Sequence, residues 1–439
     1  MRLGLVGAGE VAWRHAAAAA EVDGLTLITV FDPVPARAAR LAETYGARAV
    51  AGFDEVLDAV DLVALAVPHA LHESLALRAL EAGRKVLVEK PLATTVESCD
   101  RMIGYRPGRA LVRGDRSPDR PGEARDGRDG RDGRDGRDGP DGPDGRDGRD
   151  GRDGRDGPDG PDGPDGPDGP DGPDGPDGPE GGRGGPEGGR RDALIGSAAS
   201  ESPVGGWAEA GEAAQAGEVA AGVVSGAAGA PAIGGAPVGE LVVGQQGRFF
   251  GQVQAARDEL ARLGEPLLYV ERRSADYRRP DRPAWFADPV LAGGGIVMLV
   301  GVHSIDRASW LLGSPPVAVA GSIATPAGWS VETSAAGTVH LSGGLRAHLA
   351  LIDSPEFFHE TTVVCSRGTL VIDPSGLSVD GRRVLTVDAD REYTASFRRQ
   401  YQALLRGDPM ATLAEGRLAV ATVRAWYRSA AGRGVPVSV

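Results

Sequence analysis

Residues 2–12 have the sequence RLGLVGAGEVA, and this stretch decides the fold of the N-terminal part of the chain. The apolar run at 2–6 predicts a short buried strand that leads directly into the pattern GAGEVA at 7–12. An alanine-rich helical stretch follows, and a second apolar run at 25–31 ends at Asp32. A glycine-rich turn between a strand and a helix, followed by an acidic residue after the second strand, is typical of dinucleotide-binding folds.

Each residue of this motif has a physical role that another residue type would fill poorly. Gly7 allows the tight turn, Gly9 lets the backbone approach a pyrophosphate, and Ala12 permits close helix packing. Asp32 can accept hydrogen bonds from ribose hydroxyls, and its charge repels a 2′-phosphate, so the sequence favours NAD. Arg37 keeps NADP open as the alternative cofactor. A purely structural turn is the simpler reading, because the chain contains 67 glycines.

Strands and helices continue to alternate at a spacing that predicts βαβ units and a parallel sheet. We therefore expect an α/β Rossmann domain over residues 1–103 that is completed by a strand from about 240–250. Residues 109–112 are a second candidate for that strand, but 241–243 is preferred because the segment 245–250 follows it. The predicted elements are helices near 35–45 and 71–82 and strands at 61–67, 85–89 and 241–246.

Glycine occupies every third position from 127 to 184, mostly in Gly-Arg-Asp and Gly-Pro-Asp triplets. Strict Gly-X-Y periodicity is the signature of a collagen triple helix, because only glycine fits at the axis of three chains. Residues 126–180 carry 19 acidic side chains and 8 arginines, so most of the formal net charge of −14 arises there. A triple helix and a solvated, disordered, low-complexity insert over 104–239 are both compatible with this composition, and the latter is favoured.

Residues 251–439 predict an α+β domain with an open, mostly antiparallel sheet. Short alternating runs separated by glycine-containing turns indicate the strands, and longer amphipathic stretches indicate helices. A helix is expected at 251–263, and two more close the chain. The remaining predictions are strands at 267–274, 317–323, 337–341, 346–352, 361–365 and 369–372, and helices at 393–406 and 413–431.

Composition excludes several classes of function. Outside the repeat the charge is nearly balanced, so we expect no nucleic acid partner and no membrane partner. Cys99 and Cys365 are isolated from one another, which argues against a disulfide scaffold and a structural zinc site. The apolar stretch near the N-terminus is interrupted by charged residues, so we expect a cytoplasmic protein without a signal peptide.

Two further clusters contain candidate catalytic residues. Lys90 follows a predicted parallel strand, where ligands of such sheets bind, and it is one of only two lysines among 48 basic residues. His303 follows a glycine-rich entry into an apolar helix. Asp306 lies three residues later and could resemble a metal partner, but no third or fourth ligand is evident, so we expect no metal. A surface lysine and a structural histidine are the simpler readings.

Together these clusters resemble the glucose-fructose oxidoreductase and inositol dehydrogenase family, written Gfo/Idh/MocA. The resemblance covers residues 1–103 and 240–439 and leaves the insert unmatched. The motifs that carry it are Gly7-Ala8-Gly9 with Asp32, Pro68 to His72, Glu89-Lys90-Pro91, Trp285 with the stretch 293–306, and the closing Tyr427-Arg428-Ser429.

The resemblance implies a nicotinamide-dependent oxidoreductase that acts on sugars, inositols or related polyols and assembles as a homo-oligomer. Lys90 and His303 would lie near the nicotinamide ring. His303 would take the proton from a substrate hydroxyl, and Lys90 would stabilise the developing negative charge. Pro68, His72 and Glu89 would belong to the cofactor site.

One position departs from the family pattern. An aspartate usually stands four residues before the histidine, and here that residue is Leu299. A leucine side chain cannot orient the lysine, hydrogen-bond the substrate or offset positive charge. The chain is therefore expected to be an active enzyme or, alternatively, a catalytically impaired binding protein of the same family. A collagen-like trimerisation module, and a repeat expansion without function, are further alternatives.

Overall fold

The computed structural model describes residues 1–106 and 239–439. In the N-terminal part, six strands form a sheet in the order β3-β2-β1-β4-β5-β6, and every paired neighbour is parallel. This is the strand order of the dinucleotide-binding doubly wound fold. The elements are β1 Arg2–Val6, α1 Glu10–Ala20, β2 Thr26–Phe31, α2 Pro35–Tyr45, β3 Arg48–Ala49, α3 Phe53–Ala59, β4 Leu62–Leu65, α4 His72–Glu81, β5 Lys85–Glu89, α5 Val96–Gly104 and β6 Leu241–Gly244.

The interiors of the central strands are apolar, as expected for a parallel sheet with helices on both faces. All four residues of β4 are buried, as are four of the five residues of β1 and of β5. Strand β6 pairs with β5, and this confirms that a strand from the far side of the repeat completes the sheet. The predicted insert lies, apart from residues 104–106 and 239, outside the described residues, as does the alternative strand at 109–112.

The C-terminal part contains a nine-stranded sheet in the order β14-β13-β12-β11-β7-β10-β9-β8-β15. Its neighbours are antiparallel except for β7 and β10, which are parallel. The predicted open, mostly antiparallel sheet is thus confirmed. The strands are β7 Pro266–Ala275, β8 Pro316–Ala324, β9 Ser334–Leu341, β10 Arg346–Asp353, β11 His359–Cys365, β12 Gly368–Asp373, β13 Gly376–Val379, β14 Arg382–Thr386 and β15 Val437–Ser438.

Five helices accompany this sheet in the described part of the chain. They are α6 Gly251–Leu263, α7 Pro289–Ala292, α8 Val302–Leu312, α9 Ala389–Arg406 and α10 Leu413–Ala431. A five-residue π-helical segment, Val297–Gly301, leads into α8. The stretch Pro289–Leu312 is long and apolar enough to cross a membrane, but 72% of its apolar window is buried inside the protein, as in the core helix of a globular domain.

Helix α9 packs against the N-terminal part of the protein. Its residues Phe397, Tyr401 and Leu404 lie in the same apolar cluster as Leu3 and Ala16 of the N-terminal sheet and helix. The segment 251–439, predicted as a C-terminal α+β domain, therefore also contributes a helix that covers the nucleotide-binding part. Sequence periodicity predicted the helix but not the surface that covers its apolar face.

Candidate active site

The glycine-rich turn after β1 has the geometry that its sequence predicts. Gly7 has a φ of +92°, and a Cβ atom at this position would lie 2.2 Å from the carbonyl oxygen of Ala66, so only glycine fits. Gly9 caps α1 without a side-chain hydrogen bond, and no described atom lies within 4 Å of the place of its missing Cβ. Ala12 is fully buried against the sheet. The first amides of α1 thus face open space that suits a pyrophosphate.

Asp32 lies directly after β2 and is almost completely buried. Its two carboxylate oxygens accept hydrogen bonds of 2.8 Å from the backbone amides of Ala8 and Val34. Burial raises the pKa of Asp32, while these two amides and the charge of Arg37 partly oppose the shift. The carboxylate therefore ties the glycine turn to the end of β2 and retains lone pairs that could receive ribose hydroxyls. These residues fit a dinucleotide.

Pro68 and His72 lie around the short 3-10 helix that follows β4. The imidazole of His72 is fully buried, and its Nδ1 and Nε2 atoms lie 2.8 Å and 3.2 Å from the carbonyl oxygens of Pro91 and Val67. Both ring nitrogens are thus engaged within the protein. His72 holds together the loops after β4 and β5, so its contribution to the predicted cofactor site is through the backbone that it positions.

Glu89 ends β5, and its carboxylate points into a buried network. Its Oε1 atom lies 3.0 Å from Nε2 of His15, and Nδ1 of the same imidazole lies 2.8 Å from the hydroxyl of Tyr401. This network joins β5, α1 and α9. Glu89 therefore packs beneath the predicted cofactor site, where it fixes the strand end that carries Lys90.

Lys90 extends from the end of β5 towards the π-helical segment. Its Nζ atom donates a 3.2 Å hydrogen bond to the carbonyl oxygen of Leu299. Burial lowers the pKa of Lys90 to about 8; the charge of Arg273 also lowers it, and Glu89 opposes the shift. The side chain of Leu299 offers no acceptor, as expected, and the main-chain carbonyl of the same residue accepts the bond from the lysine instead. The side chain of Leu299 packs against the apolar core.

His303 lies in the first turn of α8 and is buried. Gly247, in the segment after β6, lies next to this imidazole. A Cβ atom added at Gly247 would lie 3.4 Å from Nδ1 of His303. Burial lowers the pKa of His303 well below its usual value, and the charges of Lys90 and Arg273 act in the same direction. The imidazole is therefore neutral at physiological pH and able to accept a proton. The sequence predicts that Lys90 and His303 share one site, and Lys90 contacts the carbonyl of Leu299, four residues before His303; the shared site stays a prediction.

A buried polar cluster beside His303 was not predicted. Glu271 on β7 is fully buried and accepts 2.6 Å hydrogen bonds from the hydroxyls of Tyr269 and Ser304. The Nε2 atom of His359 lies 3.1 Å from the same carboxylate. Burial opposes ionisation of Glu271, but the charge of Arg307 and the His359 hydrogen bond outweigh it and hold its pKa well below the usual range. The cluster fixes α8 on the sheet.

Asp306 is not paired with His303. Its carboxylate accepts two hydrogen bonds, of 2.9 Å and 2.6 Å, from the guanidinium of Arg248, and both side chains are buried. No group of three or more His, Cys, Asp or Glu side chains in residues 1–106 and 239–439 could hold a metal ion. Asp306 instead joins α8 to the segment that follows the Rossmann sheet.

Comparison with known proteins agrees with this architecture. Residues 1–106 match the model of the GFO/IDH/MocA oxidoreductase family with an NAD-binding Rossmann fold, and residues 253–371 match the GFO/IDH/MocA C-terminal domain. The chain belongs to the GFO/IDH/MocA family. Residues 125–190 match the collagen triple helix repeat, so this GFO/IDH/MocA chain contains a collagen-like sequence between its two family segments.

Curated relatives of this GFO/IDH/MocA chain match about a quarter of its length. The chain is 36% identical over 115 residues to dTDP-3,4-didehydro-2,6-dideoxy-alpha-D-glucose 3-reductase of Actinomadura kijaniata, which covers 26% of this chain and 35% of the relative. It is 38% identical over 107 residues to inositol 2-dehydrogenase of Corynebacterium glutamicum (strain R), which covers 24% and 32%. The chain thus spans about a third of the length of these relatives.

A solved structure resembles the whole fold. GenD2 from gentamicin A biosynthesis, in complex with NAD, has a TM-score of 0.63 at 18% identity, with 100% of this chain and 96% of GenD2 covered. At this identity the likeness shows the fold alone. The shared fold includes both the parallel sheet and the C-terminal sheet.

The residues that sequence reasoning missed in this family member come from elements far apart in the chain. Glu271, Ser304 and His359 lie on β7, α8 and β11, and no local pattern links them. One signal was available: Tyr269, Glu271 and Arg273 alternate along β7 and therefore share one face of the sheet. A carboxylate that shares a core-facing strand face with a tyrosine and an arginine indicates a buried polar network.

Proposed function

We propose that this chain is an NAD-dependent oxidoreductase that transfers hydride between the nicotinamide and a carbinol carbon of a sugar or polyol. One observation carries the proposal. Lys90 donates its hydrogen bond to the carbonyl of Leu299, four residues before His303, so residues from the two parts of the fold meet at one place. Lys90 follows β5 at the carboxyl edge of the parallel sheet, where doubly wound folds bind their ligands.

NAD, when bound, accepts the hydride from the substrate carbon. Neutral His303 removes the proton from the reacting hydroxyl, and its burial excludes competing water. Lys90 donates a hydrogen bond to the same oxygen and stabilises the negative charge that develops on it. The carbonyl of Leu299 and the Glu89 network hold the lysine in place. In the reducing direction His303 returns the proton to the oxygen.

Asp32 supports a preference for NAD over NADP. A 2′-phosphate would place two negative charges against a carboxylate that is already buried and bound by two amides. Arg37 lies near enough to lower the pKa of Asp32 and offers the only argument for NADP at this end of the sheet in the described part of the chain. NADP remains the alternative cofactor in our proposal.

We further propose a homo-oligomer that works in the cytoplasm. The face of the nine-stranded sheet opposite α8 exposes apolar side chains, among them Leu268 on β7 and Ile352 on β10, which are 38% and 41% exposed. Exposed apolar side chains on this sheet face, interspersed with the Arg272–Glu360 ion pair, support self-association. Light scattering of the full-length chain would test the assembly, and a monomer at all concentrations would contradict it.

The test of the proposed function is reduction of NAD by the full-length chain. The protein is incubated with NAD and a panel of sugars, inositols and their acidic derivatives, and NADH formation is followed by absorbance. We expect turnover with at least one member of the panel and a rise in melting temperature with NAD that exceeds the rise with NADP. Absence of turnover across the panel would contradict an enzymatic function.

A second candidate function follows from Leu299. Its side chain contributes no carboxylate to the site, so the chain could bind nucleotide and ligand without catalysis. A Leu299→Asp variant that acquires activity where the original chain has none would support this candidate. A Leu299→Asn variant is the matched control, because it has the same shape without the charge.

A further inference from the structure

Arg273 is a cation on the site side of the sheet that lacks a partner. It lies on β7 in the same alternation as Tyr269 and Glu271 and is half-buried. Within residues 1–106 and 239–439, no hydrogen bond or ion pair engages its guanidinium. The nearest carboxylate in electrostatic range, Glu271, already accepts from two hydroxyls and faces His359.

Arg272, the preceding residue, shows what an ordinary arginine does on this strand. It points to the opposite face, is exposed, and forms a 2.9 Å ion pair with Glu360 on the neighbouring strand β11. The contrast is informative because the two arginines differ by one position in a strand whose side chains alternate between faces. The exposed arginine has a carboxylate, and the half-buried one has none.

Arg273 lies on the face of β7 that packs on α8, because Glu271, two residues earlier on that face, accepts a hydrogen bond from Ser304, the neighbour of His303. The charge of Arg273 lowers the pKa of Lys90, of His303 and of His359. Burial and the charge of Arg307 in turn lower the pKa of Arg273 to about 10. The positive charges of Lys90, Arg273 and Arg307 thus all act on His303.

Few carboxylates oppose these charges. Glu89 and Glu271 offset part of this charge, because they raise the pKa of Lys90 and of Arg273 respectively, but neither carboxylate forms an ion pair with Arg273 in the described part of the chain. The family position that usually bears an aspartate is Leu299 in this chain. A cation that is removed from water and left uncompensated is unfavourable, and a bound anion would relieve that cost.

We infer that the substrate carries an anionic group, a carboxylate or a phosphate, which Arg273 binds beside the reacting carbinol. This inference rests on the proposed function and specifies its substrate class. The planar guanidinium presents paired donors that match two oxygens of either anion. The anion then supplies the negative charge that Leu299 does not, so an acidic sugar completes the site that a neutral sugar leaves cationic.

The test compares neutral and anionic forms of one sugar on the full-length chain with NAD. Glucose, glucuronate and glucose 6-phosphate are assayed for turnover, and their binding to the NADH-loaded protein is measured by calorimetry. We expect at least one anion to be preferred over glucose by roughly 10- to 100-fold, the effect of charge-assisted hydrogen bonds. The two anions distinguish a carboxylate site from a phosphate site.

Two variants separate Arg273 from a general effect of charge. Arg273→Gln is expected to lower the ratio of anionic to neutral affinity by roughly 10- to 100-fold. Arg272→Gln, on the opposite face, is expected to leave that ratio unchanged. Equal loss in both variants, or an Arg273→Gln variant that keeps the preference, would overturn the inference.

The outcomes also separate this inference from the proposed function. Turnover of glucose or another neutral polyol without any preference for an anion would overturn the inference and leave the oxidoreductase proposal intact. Binding of an anion that depends on Arg273, without turnover, would support the inference while contradicting the proposed enzyme activity. Failure of both anions to bind would overturn the inference regardless of turnover.

Discussion

The side-chain nitrogen of Lys90 lies 3.2 Å from the main-chain carbonyl oxygen of Leu299. This contact explains how the site can keep its lysine oriented although the usual aspartate is missing. A carbonyl oxygen, like a carboxylate oxygen, can accept a hydrogen bond, but it contributes no full negative charge. One aspartate could both orient Lys90 and offset its positive charge. In this chain the carbonyl of Leu299 orients Lys90 but does not offset its charge.

Replacement of Lys90 tests its catalytic role. Lys90→Met removes the donor and the charge, and we expect kcat to fall roughly 10²- to 10⁴-fold while the melting-temperature shift with NAD persists. Lys85→Met is the matched control, because Lys85 begins the same strand and pairs with Glu240 at 2.8 Å, away from the site. Equal activity of the two variants would refute the assignment.

The pH dependence of kcat/KM follows from the lowered pKa values of Lys90 and His303. Lys90, with its pKa lowered to about 8, loses its positive charge as the pH rises through that value, so activity should decline on the alkaline side. His303, with its pKa well below 6.5, stays neutral until the pH falls much further. A pH profile of Lys90→Arg should lack the alkaline decline, because arginine does not titrate in this range.

The lowered pKa of Lys90 also predicts how the stability of the folded protein depends on pH. The folded protein holds the Lys90 proton less tightly than the unfolded chain, whose lysine pKa is near 10.5, so the charged lysine disfavours folding below about pH 8. This unfavourable contribution is lost as the pH rises from about 8 to 10.5. Lys90→Met should therefore unfold at a higher denaturant concentration than the original chain at neutral pH, and a lower midpoint would contradict the burial of this charge.

Asp32 is expected to set cofactor affinity and selectivity. Asp32→Asn removes the negative charge and places an amide group against the backbone amides of Ala8 and Val34. NAD affinity should fall on the order of 10- to 100-fold, and the ratio of NAD to NADP affinity should fall as well. Calorimetric titration with both nucleotides measures this, with exposed Asp23→Asn as control. An unchanged ratio would argue against contact between Asp32 and the ribose.

The pair between Arg248 and Asp306 is expected to stabilise the fold. Asp306→Ala leaves a buried guanidinium with only Glu415, at 3.1 Å, so the free energy of unfolding should fall by about 3 kcal/mol or more. Asp61→Ala, which breaks the exposed pair with Arg2, should have a much smaller effect. Urea denaturation compares the two variants, and similar midpoints would contradict the structural role of the buried pair.

Local pattern in the sequence predicted many elements to the residue. Strands β1 and β5 and helices α6 and α10 have the expected bounds, because their hydrophobic period and flanking turn residues are unambiguous. Helix α3 and the two-residue strand β3 were missed, since short elements carry too few periodic residues to be distinguished from a loop. The parallel pairing of β7 with β10 was also missed, because a long stretch of chain separates the two strands.

The candidate site likewise contains residues that could be predicted from the sequence and residues that could not. Gly7, Asp32, Lys90 and His303 lie within or beside recognisable motifs and could be found from sequence. The roles of His72 and Glu89 could not, because they depend on which distant groups face them: the carbonyl of Pro91 for one and His15 for the other. Arg273 likewise differs from its neighbour only in the face of the sheet that it occupies.

The central claim is that this family member transfers hydride at the site that contains Lys90 and His303. The most direct measurement is NADH formation by the full-length chain with NAD and a panel of neutral and acidic sugars and inositols, beside the Lys90→Met and Lys85→Met variants. We predict turnover that Lys90→Met lowers by roughly 10²- to 10⁴-fold and Lys85→Met retains. NAD binding without turnover of any substrate, or equal turnover by the original chain and Lys90→Met, would contradict the claim.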